Sequence, residues 1–563
     1  MLQQQQNSTS DDLDRAAREA AKAKRDDEAT PQTSVKTPSP QPSSDDAEQP
    51  IISEDGIKPQ MSVATYEEGD IDDNKRTSSQ GFARFPDEVL DRVDSQPGMK
   101  RRASIVSKIF SSLQDEAQHK SVWITGILLL AENPGIDKLR NEMAHRLLSI
   151  PRFRSVVQKK SASAPAYFTE IEMSDIDMNY HFQTILDEST PSREDIHAYV
   201  SSMYETWTPD LTKPLWQILF VPRTHEGGAA IVTRINHAIG DGISQVEILM
   251  RLIDGDDEAD GATSTTAKQQ LPTKRERAKT FGPLNRTGIF LGGVSEGLTA
   301  IMRAPDAPNS LKHGAKGATS LKRKYAFTEK IPLDRIKSIK SKLDGATIND
   351  VLMLVLNETL HRYYQEAGDE AVLRKGRITA QFPVSTRSRN AEAFRNDDPC
   401  NSIAYGYLTF RFTKRGSMID RFWRIKRDID KIKLSPAPYV GIRTLRGLSP
   451  VLSRNMLNKL ALGVGTLATG QLSNVVAPQE AVHICGARVD DMSFVLLAPT
   501  SLYMGLLSYN GFVNCAICLN GDLPADPSKV VRHWGEVFAD FEREVLAHDG
   551  DLISRPRRFM DKF

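Results

Sequence analysis

Beyond its first hundred residues the chain alternates between short apolar runs and longer stretches whose apolar residues recur every three or four positions. The first pattern suits buried strands and the second amphipathic helices. Val122 to Leu130 reads as a strand, Ile136 to Leu148 as a helix, and Ala166 to Ile171 as a further strand. Ser192 to Trp207 has helical periodicity. Lys213 to Val221 is a buried strand with Pro214 at its head, where proline is tolerated. Glu226-Gly-Gly228 turns into the next strand, Ala229 to Ile235, and Ile243 to Ile253 follows as a helix.

A second unit repeats the mixture. Lys324 to Phe327 is a strand leading to a helix at Leu333 to Leu343. Thr347-Ile-Asn-Asp350 has the form of a capping box opening the apolar helix Val351 to Tyr364. Strands are predicted at Arg377 to Pro383, Asn401 to Phe412, around Ser473 to Val475, and around Val495, Leu506 and Cys515. Helices are predicted at Met418 to Lys433, Ser449 to Leu467 and Pro527 to Ala547. Between the units, Asp254 to Thr280 is a polar linker and Gly288 to Met302 an apolar, glycine-punctuated helix. Strands interleaved with helices indicate an α/β or α+β architecture. The organisation expected is a disordered tail over 1–118, a first lobe over 119–253, a linker over 254–321 and a second lobe over 322–563, with a cleft between the lobes.

Composition narrows this. The sequence has 563 residues, with 73 Lys plus Arg against 73 Asp plus Glu, so no global field favours nucleic acid. Residues 1–96, rich in Gln, Ser, Asp, Glu and Pro, cannot bury enough apolar surface to offset chain ordering and read as disordered. Within the tail, Met99 to Leu113 sets Ile105, Ile109, Phe110 and Leu113 at helical spacing behind Lys100, Arg101 and Arg102. That suits either a helix on an anionic membrane or one packed on the following domain. No apolar run reaches the ~18–20 residues of a spanning helix, because Pro499 breaks the longest, Phe494 to Tyr509. No signal peptide is read at the N-terminus. The 4 cysteines form no disulfide framework and fit a cytosol-facing location. Cys515 and Cys518 lie three apart on one strand and point to opposite faces, which excludes a shared metal.

The chemistry concentrates at Asn236-His-Ala-Ile-Gly-Asp-Gly242, between a buried strand and a helix. A neutral imidazole at a rigid strand end can take a proton near pH 7 and return it, as acyl transfer to an alcohol requires. Gly240 and Gly242 allow a tight turn. Asp241 is too costly to bury unpaired and calls for an arginine, either Arg387 or Arg234. The chain has no Gly-x-Ser-x-Gly elbow, so serine-hydrolase chemistry lacks its anchor. His237 and Asp241 lack a third ligand for a metal.

His237-x-x-x-Asp241-Gly242 after a strand resembles the signature of CoA-dependent acyltransferases. Companion segments fall in order: Pro151-Arg-Phe-Arg154, Asp177 to His181, Pro214-Leu-Trp216, Asn349-Asp-Val351, Pro383-Val-Ser385, Ser473-Asn-Val475 and Asn510-Gly511. Together they resemble the wax ester synthase/diacylglycerol acyltransferase family over about residues 120–550. The resemblance implies a two-lobed fold like chloramphenicol acetyltransferase, with mixed sheets and a tunnel between lobes. It implies an O-acyltransferase using acyl-CoA as co-substrate, no resident cofactor, and a fatty alcohol or diacylglycerol acceptor. His237 would be the base and Asp241 structural. Asn349 would serve as oxyanion donor, unless a backbone N–H near Gly242 does so, or would simply cap its helix. Asn236 stands where the family usually has a first histidine, and with His181 is expected to contact substrate, His181 having a structural role as its alternative. The resemblance further implies peripheral attachment at the cytosolic face of the endoplasmic reticulum or at lipid droplets. The attaching surface would be Met99–Leu113, Gly288–Met302 or Met456–Leu467. The competing readings are a tunnel that binds lipid without catalysis and an acyltransferase of another branch of the superfamily.

Overall fold

The computed structural model describes residues 96–552 apart from 105, 108–121, 159–166, 256–282, 300–302, 314–321, 388–393, 396–397, 449–455, 457–465 and 498–499. Of the tail read as disordered, residues 1–95, 105 and 108–118 lie outside the described residues, as do most of the 254–280 linker and nearly all of Ser449 to Leu467; Ile105, Ile109, Phe110 and Leu113 of the basic amphipathic segment are among them.

The strands that read as continuous apolar runs are covered on both faces. Trp216–Val221 is buried throughout, and Ala229–Asn236 is buried at all positions but one. They belong to a six-stranded sheet ordered His483–Ile484, Ala487–Leu497, Trp123–Leu130, Ala229–Asn236, Trp216–Val221, Phe182–Thr184, in which only the last pair is parallel. A second sheet runs Ile403–Arg411, Arg377–Ser385, Gly470–Val476, Leu502–Tyr509, Phe512–Asn520, Arg323–Phe327. Its parallel pairings flank Gly470–Val476 and the others are antiparallel. Both sheets lie in one compact unit, Phe82–Phe563.

A lobe boundary at 322 does not separate the sheets. Ala487–Leu497 comes from the half assigned to the second lobe, yet it pairs with Trp123–Leu130 from Leu497 opposite Trp123 to Val489 opposite Leu130. The interruption seen in Phe494 to Tyr509 is where the chain leaves one sheet for the other.

The second sheet is backed by Ile348–Glu366. Its capping box forms, Asp350 Oδ2 accepting the Thr347 N–H at 2.9 Å and Thr347 Oγ1 accepting the Asp350 N–H at 3.2 Å. Every residue from Asp350 to His361 is buried, as expected of a helix that is apolar nearly all round. It packs against Phe422 of Met418–Leu434 and against Trp534, Phe538 and Phe541 of His533–Leu546. The single closing helix expected over Pro527 to Ala547 is two, Pro527–Val531 and His533–Leu546, divided at Arg532.

Two elements differ from expectation. Lys100–Arg102 is a strand, antiparallel to Tyr167–Thr169, and not the start of a helix. Arg101 is ion-paired with buried Glu170, which Arg154 also contacts at 2.7 Å, so this cation is not presented to a membrane. Burial works against the Glu170 charge, but hydrogen bonds from Arg101 and Arg154 outweigh it and hold the carboxyl below its usual range. Second, Ala437–Leu448 is a helix that the periodicity did not reveal, its start marked only by Pro436 and Pro438. It packs on Pro283–Thr299, the apolar helix expected near 288–302. The contact runs over Gly297, where a Cβ would sit 2.6 Å from the Val440 Cβ.

Candidate active site

The site begins where the Ala229–Asn236 ladder stops. Asn236 is fully buried, and its Oδ1 accepts the Ala238 N–H at 2.9 Å, closing an Asx turn around His237. The His237 N–H donates to the Val122 carbonyl at 2.8 Å, which fixes the His237 backbone to the neighbouring strand. Beyond the turn, Asp241 caps the helix Gly242–Leu252, accepting the Ser244 N–H at 3.2 Å.

Asp241 is 1% exposed, and its charge is met by Arg387 in a bidentate pair at 2.8 and 3.0 Å. The Ser402 N–H adds a third bond at 2.8 Å. Arg234, the other partner considered, instead lies over the Trp207 ring at 4.2 Å. The glycines divide differently from expectation. A Cβ on Gly240 would meet Ser244 Cβ at 2.7 Å, so close packing demands glycine there, whereas a Cβ on Gly242 would enter open space. Neither has a positive φ. Gly242 keeps a stretch of cavity wall clear.

His237 lines a cavity of about 610 Å³ between the two sheets. Ile124, Leu128, Ile231 and Ile235 line it from the first sheet, Pro383, Ile403 and Leu472 from the second, and Val246 and Leu249 from the helix that Asp241 caps. The size lies within the ~300–1,000 Å³ usual for small-molecule sites, and the apolar lining suits a hydrocarbon chain. Imidazole Nδ1 lies 3.2 Å from Asn401 Oδ1. The Asn401 Nδ2 faces the carbonyls of His237 at 2.7 Å and Ala238 at 3.2 Å, so the amide orientation is set and Oδ1 can only accept. Nδ1 therefore carries the proton, and Nε2 is the basic nitrogen. Burial pushes the imidazole pKa down, keeping it neutral near pH 7. The cavity-lining phenols Tyr405 and Tyr503 are pushed up by burial, which keeps both protonated near neutral pH.

Comparison with known proteins settles the kinship. The catalytic-domain model of the wax ester synthase/diacylglycerol acyltransferase family matches residues 108–352, and its C-terminal-domain model matches residues 400–542. The chain belongs to this family. A wax ester synthase/diacylglycerol acyltransferase of Arabidopsis thaliana is 23% identical over 445 residues, covering 72% of this chain and 88% of its own length. A probable diacylglycerol O-acyltransferase of Mycobacterium tuberculosis is 24% identical over 457 residues, covering 75% and 92%. Among solved structures, the family enzyme of Marinobacter aquaeolei superposes with a TM-score of 0.53 at 18% identity, over 79% of this chain and all of that one. A trichothecene 15-O-acetyltransferase of Fusarium sporotrichioides gives 0.51 at 13% identity, over 79% and 95%. These likenesses agree with the two-lobed, mixed-sheet acyltransferase fold.

Against the family's His-His-x-x-x-Asp-Gly pattern, Asn236 is placed beneath the turn, its Oδ1 committed to the Ala238 N–H, and it is not among the residues that line the cavity. His181 does not line it either. It is fully buried, stacked on Trp216 with ring centroids 4.1 Å apart, and its Nδ1 donates to the Trp216 carbonyl at 2.8 Å. Asn349 sits in the first turn of its helix, and its Oδ1 accepts from Asn474 Nδ2 at 3.0 Å. Asn474 lines the cavity and Asn349 does not, so Asn349 stands one residue removed from the reacting space. The family segment Pro151-Arg-Phe-Arg154 acquires a role: Arg152 Nη1 donates to the carbonyls of Ala238 at 3.2 Å and Ile239 at 2.9 Å, clasping the turn behind His237. Asn401 escaped the sequence reading. Its one signal was a polar residue following Pro399-Cys400 at the head of a strand.

Proposed function

We propose that this protein transfers a long-chain acyl group from acyl-CoA to a lipid alcohol, giving wax ester from a fatty alcohol or triacylglycerol from diacylglycerol. The observation that carries the reading is His237, on the wall of an apolar cavity, with Nδ1 held by Asn401 so that Nε2 is basic. Nε2 takes the acceptor's hydroxyl proton as that oxygen attacks the thioester carbonyl. The tetrahedral intermediate then breaks its C–S bond, and the departing thiolate takes the proton back from Nε2. Ester and free CoA leave. Asp241 and Arg387 hold the helix start beside the base and take no part in proton transfer. Acyl-CoA enters as co-substrate, and the path uses no resident cofactor.

The test is incubation of purified protein with labelled acyl-CoA and a panel of fatty alcohols and diacylglycerols. Ester is the expected product, and His237→Ala should lower its formation by ~10²–10⁴-fold with unchanged circular dichroism. Near-normal synthesis by that variant would remove His237 from the reaction. Saturable acyl-CoA binding with no ester from the unmodified protein would instead mark a lipid-binding module.

The lipid character of acceptor and product supports attachment to a membrane or lipid-droplet surface on the cytosolic side. Among the described residues no helix is long and apolar enough to cross a membrane. Of the surfaces considered, Met456 to Leu467 lies almost wholly outside the described residues, and so do Ile105, Ile109, Phe110 and Leu113 of the Met99–Leu113 segment, whose Lys100–Arg102 is committed to a strand. Pro283–Thr299 is the surface favoured here. Phe290, Leu291 and Leu298 are 56%, 62% and 55% exposed. Arg286, and Arg443 and Arg446 of the partner helix, are exposed too, supplying cations for anionic headgroups. The same helix pair reaches the cavity wall, Tyr439 Oη donating to the carbonyl of cavity-lining Ser385 at 3.4 Å.

A further inference from the structure

Residues 100–107 precede the region matched by the family's catalytic-domain model, which starts at 108. Even so, this segment reaches the catalytic histidine. Lys100–Arg102 is anchored as a strand, and Val106 is buried in a cluster with Ala238, Ile403, Val122 and Phe168. Ser107 is fully buried, and its Oγ accepts from Asn401 Nδ2 at 3.0 Å. Ser104 completes the end of the segment: its Oγ accepts the Ser107 N–H at 3.0 Å and its hydroxyl donates to Ser107 Oγ at 3.1 Å. The run Ser104–Ser107–Asn401–His237 thus links a segment before the catalytic region, a residue 164 positions after the base, and the base itself.

We infer that Ser107 and Asn401 are positioning residues for His237, and that the strap over residues 100–107 is part of the active site. This rests on the acyl-transfer reading above. The physical argument is directional. Asn401 can hold Nδ1 in its protonated form only while its amide is kept from turning over, since a flipped amide would set NH₂ against Nδ1 and favour the other tautomer. Three acceptors keep Nδ2 in place: the carbonyls of His237 and Ala238 and the Ser107 hydroxyl. Of these, only the hydroxyl comes from outside the turn that carries His237, so it ties the amide to a fixed external frame. The turn's two carbonyls move with the histidine. Among the described residues, Asp241, Arg387, Arg152, Cys400 and Tyr405 are the other charged or titratable groups around the turn. Against burial, a backbone hydrogen bond of His237 itself, then Asp241 and Asn401, favour the protonated imidazole.

The inference is tested on the full chain with Asn401→Ala, Ser107→Ala and Ser107→Thr. Loss of Asn401 should cut kcat by ~10²-fold, on the scale of a misplaced base, with KM little changed. Its removal also takes away a bond that favours imidazolium, so the acidic limb of the kcat profile should move to lower pH. Ser107→Ala should lower kcat by roughly 2–10-fold, the worth of one hydrogen bond, and Ser107→Thr, which keeps the hydroxyl, should recover most of it. A readout independent of turnover separates this from failure of the acyltransferase reading. In protein with ¹⁵N-labelled histidine, the His237 resonance, assigned by its loss in His237→Ala, should report the Nδ1–H tautomer, with mixed tautomers in Asn401→Ala. Wild-type kcat and pH profile in both Asn401→Ala and Ser107→Ala, with an unchanged tautomer, would overturn the inference and leave the strap a packing element.

Discussion

At the scale of single residues, the chemistry rests on charges and amides that lie far apart in sequence. Arg387 and Asp241 are 146 positions apart, with side chains 7% and 1% exposed. Arg387 also donates to the Cys400 carbonyl at 2.8 Å and to Ser244 Oγ at 3.1 Å, so one guanidinium ties the helix start to the head of a second-sheet strand. Arg387→Ala leaves a carboxylate buried without its cation and should cost ~3–5 kcal/mol of stability. Arg387→Lys should lie between this variant and wild type, because an ammonium cannot reproduce the fork. Urea unfolding of the three proteins checks the order, and equal midpoints would show that the pair contributes little. The need for an arginine was legible from Asp241 alone, because burial cost dictates a partner. Its identity was legible only as a choice of two. Asn401 was not legible, since nothing in local periodicity marks an amide whose partner arrives through folding. Asn349 and His181 went the other way. Both have the right residue type in a family segment, yet Asn349 is bonded to cavity-lining Asn474 and His181 is stacked on Trp216, and neither lines the cavity.

At the scale of elements, the paired helices Pro283–Thr299 and Ala437–Leu448 show how glycine spacing exposes an apolar face. Gly293 and Gly297 sit one turn apart and face Ser435, Pro436 and Val440, where a Cβ would meet atoms at 2.4 to 2.7 Å. That close approach turns the larger side chains Phe290, Leu291 and Leu298 outward. Each exposed apolar side chain is worth ~1.5–3 kcal/mol when fully buried. Replacing all three by Ser should therefore strongly reduce partition onto vesicles containing anionic phospholipid, while circular dichroism stays unchanged. Undiminished partition would eliminate this face as the attachment surface. The Pro283–Thr299 helix was visible in sequence because its apolar residues recur near helical spacing. Ala437–Leu448 was hidden because prolines and glycines read as loop until a partner helix fixes them. Most strands and buried helices were predicted to within a few residues, since continuous apolar runs and capping boxes are local signals.

At the scale of the whole molecule, the lobes meet through uncharged rings as well as through ion pairs. His197 lies 4.6 Å from Phe327 and 5.5 Å from Tyr325 between ring centroids, so the Arg193–Thr206 helix rests on the second sheet's outer strand. Burial lowers the pKa of His197, and likewise of His181, to about 4. In the unfolded chain both take protons near pH ~6.5. Between those values the unfolded state holds more protons, so the stability these residues contribute is complete above ~6.5 and is lost as pH falls towards 4, at up to ~1.4 kcal/mol per pH unit for each. Melting temperatures at pH 7.5, 6 and 5 should fall in wild type and fall less steeply in a His181→Phe, His197→Phe double variant; parallel slopes would remove the histidines from the acid response. The crossing of Ala487–Leu497 into the first sheet has a different consequence, one of time. While the chain is being made, Trp123–Leu130 has its inner neighbour once residue 236 has emerged, but lacks its outer one until residue 497 follows. At ~5–20 residues per second that interval is on the order of tens of seconds, during which Ile127, Leu128 and Leu130 stand on an open strand edge. The first sheet thus cannot close until residue 497 has been made, however early its other strands emerge.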